Sequence, residues 1–162
     1  MDRAARKAAR GLIRDFGEVE NLQVSIKGPS DFVSTADLQA ERILKAELGQ
    51  ARPDYGFLME ESGTQSAGDG KRRWIVDPLD GTTNFLHGIP HFCISIALEA
   101  EGEIVAGVVY DPLRDEMFRA EKGAGAFVND RRLRVSARRD LGESGIGTGI
   151  PFRGHGDHPR YL

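Results

Sequence analysis

Near the N-terminus the apolar positions recur at helical spacing. Ala5, Ala8, Ala9, Leu12, Ile13 and Phe16 share one stripe, and Arg3, Arg6, Lys7, Arg10 and Arg14 occupy the other faces. This predicts an amphipathic helix ending near Gly17. A second helix is predicted over 36–50, with Ala40, Ile43, Leu44 and Leu48 as its stripe and Ala51-Arg52-Pro53 as its stop. The period then changes to two. A short apolar strand fits 55–59, and Phe92, Ile94, Ile96 and Leu98 alternate with Cys93, Ser95, Ala97 and Glu99 as a half-buried strand. Glu101-Gly102-Glu103 turns into a strand over 104–110, and Asp111-Pro112 into another around 117–120. Asn129-Asp130 links short strands at 126–128 and 133–135. Consecutive strands with short turns predict an antiparallel meander rather than βαβ repeats. Two helices followed by such a sheet define an α+β fold, with the helices packed on a mostly antiparallel sheet.

Bulk properties narrow the setting. A chain of 162 residues suits one ordinary domain, able to bury about 70% of its unfolded surface. A net charge of −3 gives no general pull toward nucleic acid or anionic membrane. One cysteine, Cys93, excludes an internal disulfide and fits a reducing cytoplasm; its apolar neighbours Phe92 and Ile94 mark a buried, inert thiol. No apolar run approaches the roughly 20 residues of a membrane span.

The strongest chemical signal is Trp74-Ile75-Val76-Asp77-Pro78-Leu79-Asp80-Gly81-Thr82-Thr83-Asn84-Phe85. A β-branched run delivers two carboxylates onto the start of a helix. Pro78 keeps Asp77 extended, so Asp77 is expected to close a strand and Asp80 to follow a sharp turn. The amides of Gly81, Thr82 and Thr83 are then expected to face the same space as both acids. Oxygen ligands beside a helix N-terminus suit a hard divalent cation and a phosphate. An ordinary strand-to-helix turn with Asp80 as N-cap is the alternative, and it leaves Asp77 without a reason.

Other acids are weaker signals. Glu60-Glu61 ends the apolar strand over 55–59, where a cation or plain solvent accounts for it equally well. Ser34 and Asp37 have the spacing of a capping box, and Asp31 reads as a turn residue. His87, His91, His155 and His158 read as loop residues. Arg131, Arg132, Arg134, Arg138 and Arg139 form a basic stripe that reads as a solvated face ahead of a nucleic-acid contact.

Taken together, these segments resemble the inositol monophosphatase family of magnesium-dependent phosphatases. The matching pieces are Lys27 to Asp37, Glu60-Glu61-Ser62, Trp74 to Phe85, Pro90 to Ala97 and Val109-Tyr110-Asp111-Pro112. The resemblance implies that Glu60, Asp77 and the Leu79 carbonyl hold one Mg²⁺, and that Asp77 and Asp80 share a second. It implies that Thr82, hydrogen-bonded toward Asp37, orients the attacking water. Gly81, Thr82 and Thr83 would hold phosphate oxygens, and Glu61 would stand behind the metal ligands. The reaction implied is hydrolysis of a phosphate monoester, foremost myo-inositol 1-phosphate, by a water that the metal activates.

The resemblance also implies the layered αβαβα sugar-phosphatase fold and a homodimer in full-length members, with a small sugar or inositol phosphate as partner. Residues 1–142 would be its N-terminal α+β metal-binding domain, and 143–162 the start of a truncated C-terminal α/β domain. The family's later Trp-Asp-x-Ala-Ala-Gly segment, whose aspartate completes the second metal site, is absent; Trp74 is the one tryptophan. This chain alone is therefore expected to bind Mg²⁺ weakly, to turn over slowly or not at all, and to self-associate. Two other readings stand beside it: a non-catalytic regulatory module associated with RNA transcription, and a related phosphatase acting on fructose 1,6-bisphosphate, histidinol phosphate or a 3′-phosphonucleotide.

Overall fold

The alanine-rich stripe forms helix α1 (Asp2–Phe16) in a computed structural model that describes residues 1–18, 24–28, 31–66, 68, 70–147 and 149. For 24–28 and 31–34 it describes the backbone path. Ala4, Ala5, Ala8, Ala9 and Leu12 are the buried face of α1, and their small side chains let α2 (Thr35–Ala51) pack alongside. Ile13, expected on the stripe, is 44% exposed: the interface with α2 is narrow, and its edge reaches solvent there. Leu44 and Leu48 of α2 are fully buried, as their spacing requires.

Eight strands form the main sheet. In chain order they are β3 (Gly56–Met59), β4 (Gly63–Gln65), β5 (Arg72–Asp80), β6 (Cys93–Ala100), β7 (Glu103–Asp111), β8 (Glu116–Glu121), β9 (Gly125–Val128) and β10 (Arg131–Arg132). Before them, β1 (Val24–Gly28) and β2 (Asp31–Ser34) make a separate antiparallel hairpin that the pattern did not predict. The order across the sheet is β10-β9-β8-β7-β6-β5-β3-β4, so the meander runs without interruption from β5 to β10. All pairings are antiparallel except β3 with β5. A parallel neighbour needs a crossover connection, and here β4 and the chain after it supply one.

The two faces of the sheet differ. Trp74, Val76, Ile94, Ile96, Val108, Tyr110 and Met117 form one buried face that joins the α1 and α2 side chains in a single core. The opposite face carries Ser95, Ala97, Val109 and Phe118 around an open, mostly apolar groove of about 780 Å³. Arg6 ties α1 to the β7–β8 turn: its guanidinium reaches Asp115 (2.5 Å), which also accepts from the Tyr110 hydroxyl (2.8 Å).

Two expectations change at the C-terminal side. The strand expected at 133–135 lies two residues earlier, as β10: Arg131 and Arg132 pair with Val128 and Phe127 directly after the Asn129-Asp130 turn, and regular pairing ends there although Ala126 and Gly125 continue β9. One last bond from the Leu133 amide to the Ala126 carbonyl (2.8 Å) closes the ladder, and Val135 is 95% exposed. The expectations for 150–162, including His155 and His158, lie outside the described residues. Among the described residues no helix is long and apolar enough to cross a membrane.

Candidate metal and phosphate site

Parallel pairing brings the acids together. Two parallel strands end at the same edge of a sheet, and the register sets Met59 against Val76. The next residues out are Glu60 and Asp77. Glu60 is held in line by its amide, which donates to the Val76 carbonyl (3.3 Å).

The strand reading of 74–80 needs a correction. β5 does not close at Asp77; it continues through Pro78 and Leu79 to Asp80 with a bulge. Asp77 faces Ser95, and Asp80 faces Cys93, so three steps along β5 match two along β6. A bulge tolerates proline where a regular ladder position does not, and Pro78 and Leu79 are fully buried there. Residues three apart on a regular strand point to opposite faces. The extra residue cancels that alternation, and Asp77 and Asp80 both face the side of Ser95 and Cys93.

Asp80 is not the helix N-cap. Gly81 occupies that place, at φ 100°, ahead of the one-turn helix α3 (Thr82–Leu86). A Cβ on Gly81 would lie 2.9 Å from the His91 carbonyl oxygen and 3.2 Å from the Phe92 Cα. Both the positive φ and the contact exclude a side chain. Gly81→Ala is therefore expected to cost at least about 1–2 kcal/mol. Urea unfolding measures this, and a neutral result would contradict the backbone geometry.

The first hydrogen bond of α3 runs from the Phe85 amide to the Gly81 carbonyl (2.9 Å), so the amides of Gly81, Thr82 and Thr83 precede it. The Thr82 hydroxyl donates to the Leu79 carbonyl at 2.9 Å, and this is not the bond toward Asp37 that the resemblance implies. A carbonyl has two lone pairs, so Leu79 keeps an acceptor site beyond Thr82. Thr83 is exposed, and its carbonyl lies 2.7 Å from the His87 ring Nδ1. His87 and His91 are exposed loop residues, as expected.

Asp37, in the first turn of α2, is 1% exposed. Asp37, Glu60 and Glu61 each bring a carboxylate oxygen to within 4.8 Å of the others. Glu60 joins this trio to the strand acids, because it follows Met59 as Asp77 follows Val76 on the paired strand. Burial pushes the Asp77 carboxyl above its ordinary range. The hydrogen bonds from Glu60 and the Leu79 amide (3.0 Å) oppose that, and the nearby charges of Asp80 and Glu61 add to it. Asp80 lies at the exposed rim, 3.8 Å from the Cys93 sulfur. Burial first, then the charges of Asp80, Asp77 and Asp111, push the Cys93 thiol up to about 12, so it stays protonated and unreactive at neutral pH.

The pattern missed Glu41. It is one helical turn beyond Asp37 on α2, 6% exposed, beside the apolar stripe. Its Oε2 accepts from the amides of Glu61 (2.9 Å) and Ser62 (3.3 Å). The one signal for it in the chain is the i, i+4 spacing of two acids next to Ala40 and Leu44, which the apolar period overshadowed.

The donor set is chemically uniform. Asp37, Glu60, Glu61, Asp77, Asp80 and the Leu79 carbonyl offer hard oxygens, and the nearby sulfur is held as a neutral thiol. Such a set fits Mg²⁺ or Mn²⁺ better than a thiophilic metal. Crowding several carboxylates at one place also favours a cation between them.

Fold and site together define an α+β protein of the sugar-phosphatase type, with an acid cluster at the shared end of β3 and β5. The chain belongs to the inositol monophosphatase family, whose model matches residues 1–161. An inositol-1-monophosphatase of Rhizobium meliloti is 62% identical over 162 residues, which is 100% of this chain and 61% of that relative. The crystal structure of extragenic suppressor protein suhB from Bartonella henselae superposes with a TM-score of 0.85 at 65% identity, covering 87% of this chain and 55% of that one. A protein named Nus factor SuhB from Xylella fastidiosa is 46% identical over 153 residues, covering 94% of this chain and 55% of the relative. The chain thus spans about three fifths of the length of the curated relatives it matches.

Proposed function

We propose that this chain carries the metal-binding half of a Mg²⁺-dependent phosphomonoesterase acting on myo-inositol 1-phosphate. The observation that carries the reading is the approach of Asp37, Glu60 and Glu61 to within 4.8 Å, with Asp77 brought beside Glu60 by the parallel register. Glu60, Asp77 and the Leu79 carbonyl hold one Mg²⁺, and Asp77 and Asp80 hold a second. When bound, these cations supply charge neutralisation at the phosphate and a lowered pKa for the attacking water. The protein's own groups do the rest. The amides of Gly81, Thr82 and Thr83 orient the phosphate by hydrogen bonds to its oxygens. Asp37 and Glu61 accept hydrogen bonds from water at the cluster and hold it on the phosphate side. We place the protein in the cytoplasm, in keeping with its single cysteine. Residues 1–142 are the metal-binding domain and 143–162 the start of a second domain, and the full-length form is a homodimer.

Thermal unfolding in rising Mg²⁺ or Mn²⁺, beside phosphate release from myo-inositol 1-phosphate and fructose 1,6-bisphosphate, tests this reading. The melting temperature is expected to climb with cation as mass action requires. Turnover is expected to stay far below that of the Rhizobium meliloti relative and to favour the inositol ester. A melting temperature indifferent to both cations would sink the metal site. Turnover equal to the relative's would contradict the weak activity proposed for this length of chain.

The similarity to proteins named Nus factor SuhB supports a second reading, a role in transcription complexes. Arg131, Arg132, Arg134, Arg138 and Arg139 are the exposed cations it would use. Charge reversal at these five positions is expected to weaken RNA or polymerase binding if that reading holds, and to leave cation binding unchanged.

A further inference from the structure

We infer that Glu41 is a positioning residue for the metal cluster, fastening the Glu60-Glu61-Ser62 turn to α2 so that Glu60 and Glu61 meet Asp37. The inference rests on the metal-site reading above. Glu41 and Asp37 are four residues apart and lie on one face of α2. One helix therefore presents Asp37 directly and steers Glu60 and Glu61 through Glu41. The steering contact is specific: a single oxygen, Oε2, accepts both the Glu61 amide (2.9 Å) and the Ser62 amide (3.3 Å). A carboxylate accepting backbone N–H groups makes stronger bonds than a neutral acceptor, and this one is 6% exposed. Placing a carboxylate there is costly unless the amides meet it. The turn it holds connects β3 to β4 and is closed at its base by the Met59–Gly63 pair; past Met59 the β3–β5 side adds the Glu60 amide on the Val76 carbonyl, and Glu41 takes the next two amides, of Glu61 and Ser62. Without Glu41 the two glutamates remain in the chain, but their spacing to Asp37 is no longer set.

The test uses the full chain in three variants. Glu41→Gln keeps the volume and one carbonyl oxygen able to accept both amides. Glu41→Met fills the same space with no oxygen. Asp77→Asn reports on the metal site itself. In metal-free protein, amide hydrogen exchange across 60–65 is expected to accelerate in Glu41→Met and to remain near wild type in Glu41→Gln. Mn²⁺ titration is expected to show affinity about 10- to 100-fold weaker in Glu41→Met, the range for residues that orient ligands, and within a few-fold of wild type in Glu41→Gln. A purely structural Glu41 would lower the melting temperature without moving Mn²⁺ affinity, and that result overturns the inference. Protected amides in Glu41→Met overturn it as well. If wild type binds Mn²⁺ and Asp77→Asn does not, the metal reading stands whatever Glu41 does. If wild type binds no Mn²⁺, the metal reading falls and this inference with it.

Discussion

Asp77→Asn is expected to weaken divalent-cation binding by more than about a hundredfold, beyond the effect of losing a group that only orients a ligand. Asparagine keeps the size of the side chain and an oxygen that accepts from the Leu79 amide, so the bulge should survive. What it removes is the negative charge between Glu60 and Asp80. The same change has the opposite effect on the metal-free protein. The Asp77 carboxyl is pushed up by burial, with Asp80 and Glu61 adding to it. A carboxyl raised by folding favours its protonated form. The stability it contributes is present below the unfolded-state pKa and is lost as pH rises through the folded-state value. At neutral pH the metal-free wild type therefore carries a penalty that asparagine lacks. Asp77→Asn is expected to melt no lower than wild type without metal and well below it in excess Mg²⁺. Paired melting curves at pH 7 decide the matter, and parallel responses to Mg²⁺ would remove Asp77 from the ligand set.

Phe85→Ala should be the most destabilising single change near the site, at about 3–5 kcal/mol. Phe85 is 0% exposed and is the one buried residue of α3. Its ring packs against Phe92 edge-on at 5.0 Å and against Phe16 at 5.6 Å, while Phe16 and Phe92 meet at 5.1 Å. This trio joins α1, α3 and the entry to β6. A helix of one turn has almost no stability of its own, so this ring is what keeps α3 in place. The expected loss is a large share of the roughly 5–15 kcal/mol that holds a domain folded. Urea titration measures it, and a loss below about 1 kcal/mol would mean that α3 is held by something else. Because the amides of Gly81 to Thr83 begin α3, the variant should also bind phosphate-containing ligands less well at a temperature where it remains folded.

Much of this architecture was legible in the chain. The helices and the strand of Ile94 and Ile96 follow from local periodicity, and packing agrees with it because burial produces that periodicity. The acids at 77 and 80 stood out as chemistry, since an N-cap leaves Asp77 without a reason, whereas Glu60 read equally well as a cation ligand or an exposed strand end. What stayed hidden depends on pairing between distant segments. Pro78 reads locally as a turn, and only its neighbour β6 shows that it lies within a bulge. No pattern within 55–59 or 74–80 states that these strands run parallel, yet that pairing sets Glu60 beside Asp77. Glu41 looks like any surface glutamate until the amides of Glu61 and Ser62 are brought to it. The strand expected at 133–135 was displaced for the same reason: pairing with β9 begins at Arg131, directly after the Asn129-Asp130 turn, and only the partner strand shows that.

The bulge in β5 makes the backbone path between Asp77 and Asp80 as consequential as their identity. Pairing residues 77–80 as a regular strand of the same length would restore strict alternation and swing Asp80 toward the face of Ile94 and Ile96, which are buried in the core. A carboxylate delivered among those side chains would face the cost of an unpaired buried charge. The strand would have to slip or the fold would open. An odd step keeps both acids on one face only while the extra residue of the bulge stays out of the ladder. Pro78, which has no N–H to give to a regular ladder, guards against that straightening.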